Sequence, residues 1–541
     1  MKSKRFLGLV LAGVLAASFC GALTGCKEPV RDDEQFLEIS DTALGYGSDW
    51  LDAVAEAFVN DPQIREKYPE VDVKVNVNTE AAYAKTDVES QTATADLYFA
   101  TTSNTASLNL DGEGNSSYYE ELTDLYEENV WGEETTMGDK VLSSMKDLYK
   151  VQKEDGTDGY WAIPYVAGTM GILYNKTQFA ALGIEELPVT TKELSDLCDY
   201  LVNEKQKTPF VFSTKVNYWT TSVWLQWWAQ YEGEENYDNF FRGNYYDEEE
   251  GRMKNGPEVF NQTGRLRALE TMYSLIGVGE NETANPNNHK RVNTMSWTQA
   301  QSAFLLGEGL MMVNGDWFIN EMASAAAEGV TDDFGMMRLP VISSVTETLE
   351  DTTMKDETLA EIIRAVDAGA EYADVSRTGV RENDFKKIKE ARNILVPLGG
   401  HVAFIPVYAQ AKELAKDFLK FMASDDCCKI FYEKTGGSSP AFQYDVETKD
   451  PELYSSFMTM QKERIEMSKS AVYVWDFSGG YPTNYYGGLV PLQASNRMLE
   501  AYFVAQNEKD RRTPQSIFDA EKEYWTVSQW KNMMESSGMG I

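Results

Sequence analysis

Two hydrophobic periods alternate along the first hundred residues. "QFLEIS" (35–40) reads as a strand, and "VDVKVNV" (71–77) switches between apolar and polar at every step, as a half-buried strand does. Between them, "SDWLDAVAEAFV" (48–59) sets Trp50, Val54 and Phe58 at i, i+4 and i+8 on one helical face, with Ser48 placed to cap the helix. "ADLYFA" (95–100) is a further short strand. Strand, helix and strand in turn predict an α/β fold.

The pattern continues downstream. "GYWAIPYVAGTMGILYNKTQF" (159–179) opens with rings around a proline and runs apolar into Tyr174-Asn175-Lys176. "LPVTTKELSDLCDYL" (187–201) carries a helix start, with Thr190 or Thr191 as cap and Glu193 in the first turn. "NYWTTSVWLQWWAQY" (217–231) holds four tryptophans; Trp224, Trp228 and Tyr231 share one helical face, which reads as core, while Trp219 is expected to precede the helix. "TGRLRALETMYSLI" (263–276) is amphipathic, and residues 298–326 read as helix, strand, glycine-containing turn and helix. "FGMMRLPV" (334–341) and "GGHVAFIP" (399–406) are strands, and "QAKELAKDFLKFMAS" (410–424) is an amphipathic helix leading to the Gly/Ser/Pro loop "EKTGGSSPAF" (433–442). Residues 343–396 are charged and helix-rich and read as an inserted segment. No repeat recurs at a fixed period.

The amino terminus adds an address. Lys2, Lys4 and Arg5 precede an apolar run from Phe6 to Phe19 that is too short to span a bilayer, and small residues lead to Cys26. "LTGC" (23–26) resembles the bacterial lipobox, which implies cleavage before Cys26 and lipidation of that cysteine. The expected mature chain begins at Cys26, held at the outer face of the membrane.

Composition narrows the chemistry. The chain has 541 residues and a formal charge of −37; loss of residues 1–25 with their three cations would leave −40. Such a surface repels phosphate backbones, so nucleic acid is a poor partner. The 12 Trp, 29 Tyr and 24 Phe mark a folded chain with an acidic skin, not a disordered one. Beyond Cys26 the chain keeps Cys198, Cys427 and Cys428, too few for a disulfide framework. Cys427 and Cys428 read as core thiols in one helix over 413–431, with a strained vicinal disulfide as the alternative. With two histidines, His289 and His401, far apart and no HExxH, GxSxG or Walker A loop, a zinc hydrolase is disfavoured; the carboxylates are too many to exclude an acid/base pair, and none stands out.

Several of these pieces, in this order, resemble the extracellular solute-binding proteins of family 1, the receptors of ABC importers for sugars. The matching stretches are "YWAIPYVAGTMGILYNKTQF", "QSAFLLGEGLMMVNGDWF", "FGMMRLPV", "GGHVAFIP" with "AKELAKDFLKFMAS", and "TGGSSP". The resemblance implies a two-lobed periplasmic-binding-protein-like fold whose discontinuous lobes are joined by crossing strands, near 164–174, 304–313 and 402–406. The implied division is a signal peptide (1–25), a tether (26–34), a first lobe from 35–166 and 306–405, and a second lobe from 167–305 and 406–541. It also implies a cleft in which rings cover sugar faces while carboxylates and hydroxyls pair with the rim. On that footing the expected ligand-binding residues are Tyr46, Ser48, Trp50, Thr101, Ser103, Tyr165, Trp219, Asp316, Trp317, Gly437, Ser438 and Trp475. Trp219 and Trp317 are expected to face each other from opposite lobes. Glycine 436 to Ser438 has a helix C-cap as its plainer reading.

The function implied is a monomeric, lipid-anchored receptor, without cofactor or catalysis, that hands an oligosaccharide to ABC permease subunits. The alternatives are the same fold binding another solute or serving a sensor, and a surface enzyme that cleaves polysaccharide with two carboxylates.

Overall fold

The computed structural model describes residues 34–43, 45–78, 81–91, 94–101, 114–153, 155–278, 284–327, 329–397, 401–474, 499–505 and 507–536. Cys26, Thr102, Ser103 and Trp475 lie outside the described residues. Among the described residues no helix is long and apolar enough to cross a membrane.

The alternating stretches of the first hundred residues form one sheet. Phe36–Thr42 lies between Asp72–Asn78 and Leu97–Thr101, parallel to both, and His401–Phe404 and Ile163–Pro164 complete a five-stranded order. The helix Asp49–Asn60 buries Trp50, Leu51, Val54, Ala55 and Phe58, its predicted stripe, and packs against Lys412–Met422 and Asp425–Lys434. Ser48 stands at the N-cap position but in helical backbone, and its side chain accepts no capping bond. The expected single helix over 413–431 is two: Ala423 and Ser424 break it, and Ser424 caps the second. Cys427 and Cys428 are free, buried thiols.

The second sheet is smaller. Met170–Asn175 is its centre, with Met311–Gly315 and Phe334–Met337 antiparallel on either side. The Thr190 side chain accepts the Glu193 N–H, as the cap pattern required. The Trp-rich segment begins as a π-helical turn, Trp219–Trp224, and continues as the α-helix Leu225–Glu232, so Trp219 is inside the helix and not before it. Trp224, Trp227 and Trp228 are core. The charged segment adds the helices Asp356–Asp367 and Glu382–Asn393, whose inward faces bury Leu359, Ile362, Ile363, Phe385 and Ile388. Each such side chain contributes about 1.5–3 kcal/mol on burial, which docks a highly charged insertion firmly on the second lobe. The helix Pro514–Tyr524 docks there too, through an ion pair between fully buried Arg265 and Glu521.

Strand pairing corrects the expected lobe boundaries. Met311–Gly315 lies beside Met170–Asn175, so the chain does not cross between lobes near 304–313. The helix Lys412–Met422 packs on the first sheet and Asp425–Lys434 on the first-lobe helix Asp49–Asn60, so 406–434 is not second-lobe. Residues 306–395 follow the second lobe, because their strands and helices pair and pack there. The chain passes between the lobes at 165–169, between Pro397 and His401, and at 435–458. These crossings run side by side: Thr169 bridges Pro397, Val166 bridges Pro440, Tyr165 N–H bonds the His401 carbonyl, and Ala441 N–H bonds the Tyr165 carbonyl.

Candidate functional site

The lobes meet at two turns. One, 45–48, follows the strand Phe36–Thr42; the other, Asp316-Trp317, follows the strand Met311–Gly315. The Tyr46 hydroxyl donates to Asp316 Oδ1 at 2.9 Å, and both residues are buried. Gly168, on a crossing segment, lies beneath that hydroxyl, where any side chain would collide with it. Gly45 lies against Trp317, and a Cβ there would come within 2.7 Å of the indole.

A buried arginine underpins this contact. Arg464, on the helix Thr459–Ser468, sets Nε 3.7 Å from Asp316 Oδ2 and donates from Nη1 to the Ala167 carbonyl at 3.5 Å. It also donates to the Ser439 hydroxyl, which in turn bonds the Tyr432 hydroxyl at 2.7 Å. One side chain thus ties a second-lobe helix to two crossing segments and, through Tyr432, to the first lobe. Burial pushes the Asp316 carboxyl up, and the Arg464 charge pulls it back. Burial, then the neighbouring Asp316, holds the Tyr46 phenol well above its usual range, so it stays a donor.

Next to it, Tyr165 Oη lies 3.3 Å from His401 Nδ1, and the His401 ring meets Tyr46 edge-on with centroids 5.2 Å apart. Burial lowers His401 to about 4, so the ring is neutral at pH 7. Asp41, at the end of the first strand, is also buried; burial, then Asp52, raises it to about 7.

An aromatic wall stands on the second-lobe side. Trp317 is nearly buried and meets Tyr46 and Tyr218 edge-on, at centroid distances of 6.2 and 6.0 Å. Tyr218 in turn meets Trp297 at 4.6 Å, and these two rings are half-buried. At the loop 436–438, where Asn320 lies beside Gly436 and Gln461 beside Gly437, several buried polar atoms have no hydrogen-bond partner among the described residues: Ser438 Oγ, Asn320 Nδ2, and both ends of the Gln461 amide. Each such group costs about 1–3 kcal/mol unless something pairs with it.

The structure sorts the expected residues. Tyr46, Asp316 and Trp317 come together at the seam between lobes, and Ser48 follows Tyr46 on the same turn. Trp50 does not face it: its ring stacks on Tyr165 at 5.4 Å and packs on Phe99 and Phe431, which makes it first-lobe core. Tyr165 is likewise enclosed in the hinge. Trp219 lies between Phe210 and Phe212 in the second lobe, the same lobe as Trp317, so the pair does not sandwich anything. Thr101 ends its strand opposite His401. Gly436 and Gly437 have φ of +66° and +107°, and the Gly437 N–H bonds the Tyr432 carbonyl, the Schellman form of a helix C-cap. That loop forms a helix C-cap, with Ser438 buried behind it.

Tyr218, Trp297, Arg464 and Asp41 were missed. Tyr218 had the better-known signal of Trp219 beside it; Arg464, in "QKERIEM", looks like any arginine on a charged helix.

A separate recess of about 490 Å³ opens between the lobes, lined by Ser143, Asp147 and Lys150 on one side and Glu234, Arg242 and Tyr473 on the other.

Two sheets, three crossings that run side by side and a polar–aromatic seam between the lobes define a two-lobed solute-binding protein. The chain belongs to the bacterial extracellular solute-binding protein family, whose sequence model matches residues 45–426. No curated protein matches the sequence. The fold is similar to that of the GacH receptor of Streptomyces glaucescens GLA.O, solved unliganded and with acarbose; identity is 14%, coverage 92% of this chain and 98% of that one, and TM-score 0.55. It is similar to apo RafE from Streptococcus pneumoniae, at 15% identity, 92% and 97% coverage and TM-score 0.56; RafE has also been solved with raffinose. A chitin oligosaccharide binding protein matches at 15% identity, 94% and 100% coverage and TM-score 0.56.

Proposed function

We propose that this protein captures an oligosaccharide at the seam between its lobes and, tethered through lipidated Cys26, delivers it to an ABC importer outside the cytoplasmic membrane. The observation that carries the reading is the seam itself: half-buried Tyr218 and Trp297 beside Trp317, buried Asp316 next to Trp317 in the chain, and unpaired polar atoms of Ser438, Asn320 and Gln461 grouped at the loop 436–438. Rings match the C–H faces of a sugar, and carboxylate, amide and hydroxyl groups match its rim. Neighbours of the same fold that bind acarbose, raffinose and chitin oligosaccharide support the ligand class. The 490 Å³ recess is lined by charges of both signs and one ring, a poorer match to a neutral sugar.

The ligand-contacting set we assign is Tyr46, Ser48, Thr101, Asp316, Trp317, Gly437 and Ser438, with Ser103 and Trp475 carried over from the sequence and Tyr218 and Trp297 added. Ligand touching both lobes favours the closed arrangement, since only differential affinity moves that equilibrium. No catalytic role is assigned to any residue. A thermal-shift screen with raffinose, maltotriose and chitotriose tests the reading: binding to the native state raises stability as RT ln(1 + [L]/Kd). No shift with any glycan, or release of shorter sugars from one, would count against it.

A further inference from the structure

The short helix Leu499–Phe503 packs against the turn Trp219–Trp224, next to Tyr218 of the seam. Glu500, on the short helix Leu499–Phe503, is fully buried, and its Oε1 accepts the Thr220 N–H at 2.8 Å. Burial raises the carboxyl to about 7, while the backbone N–H groups of Glu500, Thr220 and Trp219 favour the charged form. Among the described residues no cation pairs with it. By contrast, buried Glu521 pairs with Arg265 and buried Asp316 with Arg464. A carboxyl held in the core by the start of a helix fixes that start in place.

What begins there is the π-helical turn Trp219–Trp224, and the residue just before it is Tyr218, which meets both Trp297 and Trp317. π-turns carry one extra residue over an α-turn and recur at functional sites. Reversion of this turn to α-geometry would move Tyr218 by about one residue, roughly 1.5 Å along the axis and about 100° around it. That is enough to take its ring off Trp317.

We propose that Glu500 is a positioning residue for the cleft: by holding the first N–H groups of the helix 219–232 it fixes Tyr218 against Trp317 and so sets the ring face that a ligand meets. Its ligand arm rests on the carbohydrate reading; its structural arm does not.

The test uses the full chain and the variants Glu500→Gln and Glu500→Leu. Gln keeps an oxygen acceptor at the same length, and Leu does not. Without ligand, Glu500→Leu should speed amide exchange at Thr220 at least tenfold and alter the near-ultraviolet dichroism of the cleft aromatics, and Glu500→Gln should restore both. With raffinose, maltotriose or chitotriose, whichever binds the parent, Glu500→Leu should weaken binding about tenfold and Glu500→Gln less than threefold. If Glu500→Leu fails to fold, Glu500→Asp, which withdraws the acceptor by one methylene, takes its place. Unchanged Thr220 exchange in the Leu or Asp variant overturns the proposal, and so does Gln behaving like Leu. A parent that binds none of the three glycans refutes the carbohydrate reading while the exchange data still decide the role of Glu500.

Discussion

Tyr46→Phe deletes a single oxygen from the seam. The ring contacts with Trp317 and His401 remain, and the 2.9 Å bond to Asp316 goes. A hydrogen bond to a charged acceptor is worth about 1.5–3 kcal/mol, and here the partner left behind is a buried carboxylate. Because Tyr46 and Asp316 sit on different lobes, the loss falls on the closed arrangement alone. At 1.4 kcal/mol per tenfold, the ratio of closed to open protein should drop by roughly 10- to 150-fold. Apparent affinity scales with the competent fraction, so Kd should rise by up to that factor once the open form dominates. Calorimetric titration gives Kd, and small-angle scattering of the unliganded variant should show a larger radius of gyration. If neither Kd nor the radius changes, the Tyr46–Asp316 contact does not hold the lobes together and the reasoning fails.

Three further outcomes are expected. Gly168→Ala should push the Tyr46 hydroxyl out of its place and weaken ligand binding at least tenfold, since the added Cβ collides with that hydroxyl; unchanged titration would contradict it. His401 has a folded value of about 4 against 6.5 unfolded, so the unfolded chain binds more protons between them. Its contribution is therefore complete above about pH 6.5 and is lost as pH falls toward 4, by up to about 3 kcal/mol; denaturant melts of the parent and His401→Gln should converge or cross over that window. Cys26→Ala should shed the protein from membranes, and mass spectrometry finding Cys26 unmodified in the parent would refute the anchor.

Local pattern carried the elements well. The period-3.6 run lies where Asp49–Asn60 forms, because one face of it is buried, and the period-two run where Asp72–Asn78 alternates exposed and half-buried over its first four residues; Phe36–Thr42 is buried over its last four residues. The lobe boundaries were less legible. Met311–Gly315 is buried throughout, so its composition says that it is interior and not which sheet it joins. The same burial misled the choice of tryptophans: Trp50 and Trp219 carry the large rings that a sugar site uses, but rings serve cores equally well. Arg464 and Asp316 lie 148 positions apart and meet only through the third dimension, and a charged residue inside a charged helix gives no local sign of its burial.

Glycan binding at the seam is the property on which the proposed function rests. The measurement that tests it most directly is calorimetric titration of raffinose, maltotriose and chitotriose into the parent and into Trp317→Ala, with melting temperatures for both. The account predicts saturable binding of at least one glycan by the parent and a loss of roughly tenfold or more in the variant, as for an aromatic at a binding hot spot. Unchanged affinity in Trp317→Ala, with a fall in stability of about 3–5 kcal/mol, would contradict it and leave Trp317 as packing under the hinge.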